Sequence, residues 1–352
     1  MYQEEFITLG RLMGIAAGKI VDNQLFVKFK TEIENLSSLV KDYHNYNGWF
    51  SCEFVNKQLA SLSQMLEKQN IEHFCRKYSL GQLPKNPKRV KVIPAGNIPL
   101  VGFHDMMCVL LAGHTLVVKH SQKDRLLPTA VLSLLKKINP KLEKHIVEEN
   151  DGQRLTFDAI IATGSDNSGR YFDYYFSKYP HIIRRNRNSV AIVWGNETPD
   201  DYKLLADDIF AYYGLGCRSV SKIFVPEKYD FDLFFKGIFH CGDVINNPKY
   251  ADNYDYNKAV YLMGGNKLLD NGFLILKEDD SLSSPPGVLF WQKYSNVDSL
   301  TEHLKKISSN LQCVVSKTPI EGLETVSLGM AQNPSIFDFA DGVDTMAFLK
   351  QL

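Results

Sequence analysis

Residues 89–119 read RVKVIPAGNIPLVGFHDMMCVLLAGHTLVVK, and their pattern is the clearest indication of the fold class. Its two ends, Val90–Pro94 and Thr115–Lys119, are short apolar segments rich in β-branched residues, the pattern of buried strands. A similar run, Ala159–Ala162, supplies a third strand, and helical patterns fill the gaps, as over Pro128–Ile138. Strands that alternate with helices at this spacing predict a parallel α/β sheet.

Outside this stretch the apolar spacing changes along the chain. Residues 1–80 carry apolar side chains at three-to-four spacing and predict a helical N-terminal region. Beyond the third strand, Ala191–Trp194 predicts a fourth strand, and Asp200–Tyr213 predicts a helix. Further strand and helix signals follow residue 217. The expected organisation is a helical region at 1–80, a nucleotide-type α/β domain at 81–200, a second α/β domain at 201–325, and a C-terminal segment at 326–352 that returns to the first domain.

Composition excludes several classes of protein. The 352 residues contain 40 basic and 40 acidic side chains, and a balanced chain has little long-range attraction for nucleic acid. The apolar region Val92–Val118 is interrupted by polar residues and does not match a transmembrane helix. The first residues do not match a signal peptide, and the six cysteines form no CxxC pair. We therefore expect a cytoplasmic protein with reduced thiols and no membrane span.

The strongest candidate for chemistry is Cys217, in the run YGLGCRSVSKIFV at residues 213–225. Gly214 and Gly216 remove side-chain bulk ahead of the thiol, which lets a substrate approach the sulfur. Arg218 and Lys222 follow, and nearby positive charge favours the reactive thiolate. The run then becomes apolar, which predicts a loop-to-strand junction. The alternative is a small cysteine buried in the core.

Three loops follow the three predicted strands, and ligands of open parallel sheets bind beyond the carboxyl ends of strands. The loops are Pro94–Pro99, Lys119–Lys123 and Thr163–Gly169. The third opens a helix, whose N-terminal backbone N–H groups can bind a phosphate. It is not a P-loop, because no GK[ST] follows.

Together these loops and Cys217 resemble the aldehyde dehydrogenase superfamily, most closely its acyl-CoA reductase branch, the family of the bioluminescence fatty-acid reductase. The resemblance covers roughly residues 85–225, and the closing stretch from Gly329 to Thr345 also resembles this branch. It implies an aldehyde-dehydrogenase-like fold with a parallel-sheet cofactor domain and a catalytic domain. It further implies that Cys217 is the nucleophile and that Asn97 and the Cys217 N–H bind the oxyanion. The cofactor-binding residues implied are Lys119, Ser121, Gly164, Ser165 and Gly169.

One departure from the superfamily concerns deacylation. Aldehyde-oxidising members carry a glutamate that activates water, whereas the corresponding region, Ile183–Ser189, contains no acid. Without a general base for water, a cysteine thioester persists for another acceptor, such as a hydride. The resemblance thus implies reduction of an acyl-CoA, or of an acyl-carrier-protein thioester, to the aldehyde. The three arginines of this region either hold phosphates or form a solvated turn.

A second departure concerns the cofactor. NAD-preferring relatives often carry a glutamate three residues after the ribose-binding lysine, where this chain has Gln122 followed by Lys123. Losing an acid and gaining a cation removes repulsion against a 2′-phosphate. We therefore expect NADPH, with NADH as the alternative. Relatives pair as dimers or larger assemblies, which implies a homo-oligomer.

The remaining polar and aromatic features of the sequence suggest mainly structural roles. His240–Cys241 lacks partner ligands at metal spacing, so no metal site is expected. The aromatic run Tyr171–Tyr179 predicts core packing on a helix that ends before Pro180, with an acyl channel as the alternative. His104, His114 and His120 are expected in structural or ligand-contact roles. Leu215 stands where relatives often place a glutamine.

Two rival functions follow from these features. One is a non-catalytic nucleotide- or acyl-binding scaffold that keeps the fold, favoured by Leu215 and the basic turn. The other is an acyltransferase that uses Cys217 without a nicotinamide. The reductase binds NADPH and consumes it, the scaffold binds NADPH without consuming it, and the acyltransferase does not bind it.

Overall fold

The computed structural model describes residues 2–81, 84–164 and 166–352, with only the backbone described at 166–168. The chain divides into two compact units, Met1–Asn186 with Pro334–Leu352, and Arg187–Asn333. The boundary therefore lies at 186/187 and not near residue 200, and the C-terminal segment of the first unit begins at Pro334.

Helices and strands alternate over residues 89–138, as the sequence predicts, and further along the chain some strands follow one another directly. The helices are α1 (Gln3–Ala16), α2 (Asn23–Lys28), α3 (Lys30–Asp42), α4 (Cys52–Met65), α5 (Lys68–Lys77), α6 (Phe103–Leu111), α7 (Leu126–Ile138), α8 (Asp166–Phe176), α9 (Pro199–Phe210), α10 (Phe231–Ile238), α11 (Pro248–Met263), α12 (Val297–Lys306) and α13 (Thr345–Leu349). The strands are β1 (Arg89–Ile93), β2 (Thr115–Val118), β3 (Ile146–Glu148), β4 (Ala159–Thr163), β5 (His181–Arg184), β6 (Asn188–Ile192), β7 (Val220–Pro226), β8 (Leu268–Asp270), β9 (Ile275–Glu278), β10 (Val288–Tyr294) and β11 (Leu311–Ser316).

The first unit contains a parallel sheet with strand order β3-β2-β1-β4-β5. In register, Val92 of β1 lies opposite Val118 of β2 and Ile161 of β4. Both neighbours are fully buried, which explains the near-continuous apolar runs of these strands. The order places the carboxyl ends of β2, β1 and β4 side by side, so the three predicted ligand loops leave the same edge of the sheet.

The N-terminal helices form the predicted helical region and share one hydrophobic core with the first sheet. α1 packs on α4, and the two backbones approach closely at Gly10. A Cβ added at Gly10 would lie 2.6 Å from Leu66 Cβ, so a larger residue there would force the helices apart. Within the described part of the chain, no helix is long and apolar enough to cross a membrane.

The second unit contains a sheet with strand order β11-β6-β7-β10-β9-β8, parallel except for β8 at one edge. β6 overlaps the strand predicted at 191–194 at residues 191 and 192, and it lies between β11 and β7 of this sheet. The expectation that this strand belongs to the first domain is therefore wrong. The reason is physical: a buried parallel strand reads as the same apolar run whichever sheet it joins.

The aromatic run ends its helix before Pro180, as predicted, but it does not pack as predicted. Tyr171, Tyr174 and Tyr175 are 61–79% exposed on α8. Residues three and four apart share a helix face, so these tyrosines form one solvent-facing stripe. The half-buried Phe172 and Phe176 stack on each other with ring centroids 5.8 Å apart. Core packing is thus wrong for the tyrosines.

Candidate active site

Cys217 lies in a strained turn immediately before β7. Tyr212 and Tyr213 have φ values of 55° and 57°, and Gly214 has a φ of 76°. Non-glycine residues rarely adopt this left-handed conformation, and such strain clusters at functional sites. The backbone is therefore forced through three consecutive left-handed residues to present the cysteine ahead of the strand.

The side chain of Cys217 is half-buried. By contrast, Cys75, Cys108 and Cys313 are all buried in the two cores. All six cysteines are thiols and not disulfide halves. Cys217 is thus less buried than these three core cysteines, and it shares its intermediate burial with Cys52 and Cys241.

The turn around Cys217 is fixed by hydrogen bonds from the sheet and from within the loop. The fully buried Ser189 of β6 donates through Oγ to the Cys217 carbonyl oxygen at 2.9 Å. The same Oγ lies 3.0 Å from Cys313 Sγ. The Ser219 N–H donates to the Gly216 carbonyl at 3.0 Å, which closes the turn over Cys217.

The two cations predicted to favour the thiolate have carbonyl partners. Arg218 donates through Nε to the Ala331 carbonyl. Lys222 is fully buried and donates through Nζ to the Asp280 carbonyl at 3.0 Å. Burial lowers the pKa of Lys222, against the opposing effect of Asp280. Lys222 therefore ties β7 to residue 280, whereas Arg218 lies next to Cys217 in the chain.

Sequence reasoning missed Asp208, a buried carboxylate on α9. It accepts hydrogen bonds from the N–H groups of Gly329 and Ala331, at 2.6 and 3.0 Å. Gln332, from the same closing segment, donates through Nε2 to Ser219 Oγ at 3.0 Å. No sequence signal marks Asp208, because its partners are backbone groups more than a hundred residues away.

In the first unit, the loop after β1 packs closely on the loop after β2. A Cβ added at Gly96 would lie 2.7 Å from Ser121 Cβ and 3.1 Å from Lys123 Cβ. Only glycine fits this approach, because real Cβ atoms do not come so close. Asn97, predicted to bind the oxyanion, follows in the same loop and is half-buried.

A second missed residue, Asp124, fastens these two loops together. It is buried and accepts hydrogen bonds from the Leu100 N–H at 2.6 Å and from the Tyr43 hydroxyl at 3.1 Å. Leu100 has a φ of 54°, so the bond holds a strained turn of the β1 loop. Burial raises the pKa of Asp124 to about 6, although the two hydrogen bonds oppose the shift. The N-terminal helices thus brace the predicted cofactor loops.

Lys119 and Ser121 lie at the carboxyl end of β2. The Lys119 N–H continues the sheet to the Val92 carbonyl at 3.0 Å, and its side chain is exposed. Among the described residues, no carboxylate or carbonyl pairs with the exposed Lys119 ammonium. Ser121 is half-buried and accepts from the Lys123 N–H at 3.3 Å. Both Gln122 and Lys123 are exposed beside them.

His120, between Lys119 and Ser121 in the chain, is bonded to a protein carboxylate. Its ring is 4% exposed, and Nε2 lies 2.9 Å from a carboxylate oxygen of Glu148. Burial raises the pKa of Glu148, but hydrogen bonds from His120 and Thr129 outweigh it and lower the pKa to about 2. His104 and His114 bond to the carbonyls of Ile336 and Leu349, both at 2.9 Å. The three histidines are therefore structural.

The third predicted loop joins the same edge. The Gly164 N–H donates to the Arg184 carbonyl at 3.2 Å, and Gly164 is half-buried. Gly169 is buried, and a Cβ there would lie 3.2 Å from Arg185 Cγ. Ser165 lies outside the described residues.

The arginine region does not form a solvated turn throughout. Arg184 is buried, pairs with Asp105 and donates to Thr345 Oγ1 at 2.8 Å. Arg185 is exposed and pairs with Asp173. Arg187 donates to a backbone carbonyl of the second unit, that of Leu311, at 3.3 Å. The arginines thus serve the fold, and a phosphate would have to compete with these partners.

The structure brings Gly96–Asn97, Lys119–Ser121 and Gly164 to one edge of the first sheet, whereas Cys217 belongs to the second unit. The residues at this edge fit a dinucleotide, because they combine an exposed ammonium with small residues at close backbone approaches. Among the described residues, no group of three acidic, histidine or cysteine side chains is arranged to hold a metal ion. His240 and Cys241 contact each other, with Sγ 3.3 Å from Nε2.

Comparison with known proteins supports the interpretation of the chain. Residues 76–234 match the family model described as acyl-CoA reductase (LuxC). No curated protein sequence matches the chain. The match confirms the resemblance to the acyl-CoA reductase (LuxC) family over these residues.

Solved structures confirm the aldehyde-dehydrogenase-like fold. Aldehyde dehydrogenase 21 from Physcomitrella patens, in complex with succinate, has a TM-score of 0.67 at 13% sequence identity, covering 100% of this chain and 84% of that chain. An NADP-dependent enzyme from E. coli has a TM-score of 0.64 at 12% identity, covering 95% and 79%. An NAD-dependent aldehyde dehydrogenase from Sinorhizobium meliloti has a TM-score of 0.60 at 12% identity, covering 88% and 70%.

Proposed function

We propose that this chain, whose residues 76–234 match the acyl-CoA reductase (LuxC) family, reduces an acyl-CoA or acyl-carrier-protein thioester to the aldehyde with NADPH. The observation that carries the proposal is the half-buried thiol of Cys217 on a strained, hydrogen-bonded turn. A rigidly presented thiol suits covalent catalysis, in which the nucleophile must be held and remain accessible.

In the first half-reaction, the Cys217 thiolate attacks the thioester carbonyl carbon. A C–S bond forms to Cys217, the C–S bond to CoA breaks, and CoA leaves as a thiolate that takes a proton from solvent. A thiolate is a good leaving group, so no strong general acid is required. We assign the oxyanion to the Asn97 amide and the Cys217 N–H, the roles that the resemblance implies, each worth about 3–4 kcal/mol.

In the second half-reaction, the acyl group leaves Cys217 as the aldehyde. NADPH, when bound, supplies the hydride that reduces the acyl carbonyl. Lys119, Ser121, Gly164, Ser165 and Gly169 are the residues that we propose hold the cofactor. The exposed Lys119 ammonium is available to ribose hydroxyls, because no described residue neutralises it. Collapse of the reduced intermediate breaks the C–S bond and restores the Cys217 thiolate.

Hydride is the proposed acceptor because the chain lacks a base for water in the expected place. Residues 183–189 contain no acid, and the structure commits their arginines to protein partners. Water then has no activating carboxylate there, and the thioester survives until reduction. The preference for NADPH rests on exposed Gln122 and Lys123, which present no carboxylate to a 2′-phosphate.

The test is a panel of acyl-CoAs of rising chain length, with NADPH consumption followed by absorbance and the aldehyde measured directly. We expect one aldehyde for each NADPH consumed, a maximum at one range of chain length, and slower turnover with NADH. Binding of NADPH without its consumption by any acyl-CoA would instead identify a scaffold. Acyl transfer without NADPH binding would identify an acyltransferase.

A further inference from the structure

We propose that Asp208 is a positioning residue for Cys217, acting through residues 329–332, which we name the closing strap. The proposal rests on the proposed function only in assigning Cys217 as the nucleophile. Every contact that carries it lies within the second unit.

Asp208 holds the closing strap with both carboxylate oxygens. Oδ2 accepts from the Gly329 N–H at 2.6 Å, and Oδ1 accepts from the Ala331 N–H at 3.0 Å. The carboxylate is fully buried, so these charge-assisted bonds offset the cost of removing it from water. Gly329 has a φ of 77°, and a Cβ there would lie 2.8 Å from Leu204 Cδ2. The strap is therefore drawn tightly against α9.

The closing strap in turn holds the two residues that follow the nucleophile. Arg218 donates through Nε to the Ala331 carbonyl, and Gln332 donates through Nε2 to Ser219 Oγ at 3.0 Å. Ala331 is thus bonded on both sides, by Asp208 through its N–H and by Arg218 through its carbonyl. A short chain of hydrogen bonds connects the buried carboxylate to the residue next to Cys217.

The same network reaches the other end of the strained turn. Ser219 Oγ donates to the Ala211 carbonyl at 3.4 Å, just ahead of the left-handed Tyr212 and Tyr213. Ala211 directly follows α9, the helix that carries Asp208. The contacts therefore form a closed ring around the turn. Asp208 on α9 bonds to the closing strap, the strap bonds to Arg218 and Ser219, and Ser219 bonds back to Ala211 at the end of α9.

The consequence is that Asp208, acting through Ala331, helps to fix the guanidinium of Arg218, the residue next to Cys217 in the chain. A cation held beside a cysteine favours its thiolate, and a nucleophile displaced by a fraction of an ångström loses rate. Weakening the strap should therefore slow acylation and raise the pH at which Cys217 becomes reactive. Substrate affinity should change little, because the strap is argued to act on the nucleophile and not on the substrate.

The test uses Asp208→Asn, which keeps the shape of the side chain but cannot accept from both N–H groups. Gln332→Leu is the second variant, which removes the strap's bond to Ser219 if the first variant fails to fold. Asp200→Asn, an exposed position on the same helix, is the matched control. Two quantities are measured: kcat and KM with an acyl-CoA, and the pH profile of alkylation at Cys217 by iodoacetamide, resolved by peptide mass spectrometry.

We expect kcat to fall about tenfold with KM within about twofold, the pattern of a mispositioned nucleophile. The midpoint of the Cys217 alkylation profile should move to higher pH, while Cys241 in the same unit serves as the internal reference. General loosening of the fold would instead expose the buried Cys75, Cys108 and Cys313 to alkylation. A folded Asp208→Asn protein with an unchanged kcat and an unchanged profile overturns the proposal, as does loosening without a shift at Cys217.

Alkylation requires neither acyl-CoA nor NADPH, so the two proposals fail separately. A protein that makes no aldehyde but shows the shifted alkylation profile would refute the proposed reaction and leave the positioning role of Asp208 standing.

Discussion

The Ser189 hydroxyl donates a 2.9 Å hydrogen bond to the backbone carbonyl of Cys217, and Ser189 is fully buried. This bond ties the backbone of Cys217 to β6, a strand of the sheet of the second unit. Ser189 precedes Cys217 in the chain, whereas the bonds of Arg218 and Ser219 connect the turn to residues 331 and 332, which follow it. The position of Cys217 thus depends on a contact 28 residues away in the chain.

Replacing Ser189 with alanine should loosen the backbone at Cys217 by removing the hydrogen bond to its carbonyl. We expect the Ser189→Ala variant to lose about 1 kcal/mol in the free energy of unfolding, since a buried carbonyl loses its donor. Its acylation rate should fall by several-fold. Denaturant unfolding and single-turnover acylation measure the two effects, and Ser299→Ala, at an exposed position, is the control. Wild-type acylation in Ser189→Ala would contradict the prediction.

Adding one methyl group at Gly96 should weaken cofactor binding. The new Cβ would lie 2.7 Å from Ser121 Cβ, so the loop carrying Lys119 and Ser121 must shift. We expect Gly96→Ala to weaken NADPH binding roughly tenfold, equivalent to about 1.4 kcal/mol. Fluorescence titration with NADPH measures this, with Gly81→Ala as the control because no atom of the described residues lies within 4 Å of a Cβ there. Equal NADPH affinity for both variants would show that this edge does not bind the cofactor.

Replacing Gln122 with glutamate should reverse the expected cofactor preference. A carboxylate at this exposed position repels a 2′-phosphate and can accept from ribose hydroxyls instead. We expect the ratio of kcat/KM for NADPH to that for NADH to fall about tenfold, the effect of about 1.4 kcal/mol. Gln122→Ala, which adds no charge, should shift the ratio far less. An unchanged ratio in Gln122→Glu would rule out this residue as a specificity determinant.

The buried Asp124 should make stability depend on pH. Its pKa is raised from 3.8 to about 6 by burial, so the folded protein binds this proton more tightly than the unfolded chain. The favourable contribution is present below pH ~4 and is lost as pH rises through ~6, amounting to about 3 kcal/mol in all.

Asp124→Asn cannot titrate and isolates this effect. The free energy of unfolding of the wild type, minus that of the variant, should fall between pH 4 and pH 7 by an amount of this order. Denaturant unfolding at several pH values measures it, and Asp255→Asn at an exposed position should show no such slope. A difference that stays constant or rises with pH would mean that Asp124 is ionised at no cost.

The apolar strands were predictable because burial on both faces leaves a visible run of aliphatic residues. β1, β2 and β4 lie within one residue of their expected positions. β3 and β5 were missed, because β3 has only three residues and β5 begins and ends with a basic residue, His181 and Arg184. Arg184 is accommodated inside the protein by Asp105 of α6 and by Thr345 Oγ1, partners 79 and 161 positions away that no local pattern displays.

The candidate site was predictable where chemistry leaves a local signature. Glycines around a cysteine and the strand-end loops are such signatures; in the structure Cys217 is half-buried ahead of β7 and Lys119 is exposed at the end of β2, and their roles stay predictions. The supporting carboxylates, Asp124 and Asp208, were not predictable, because each binds backbone N–H groups of a distant segment. The left-handed backbone conformation of Tyr212 was also not predictable from the sequence, because tyrosine does not favour that conformation.

The most direct test of the central claim is covalent labelling at Cys217. Wild-type protein and Cys217→Ala are incubated with radiolabelled acyl-CoA without NADPH, the label is located by peptide mapping, and NADPH is then added. We predict stoichiometric label on Cys217, its release as the aldehyde when NADPH is added, and none on the folded variant. A Cys217→Ala protein that is labelled at the wild-type level, or that still forms aldehyde, would contradict the claim.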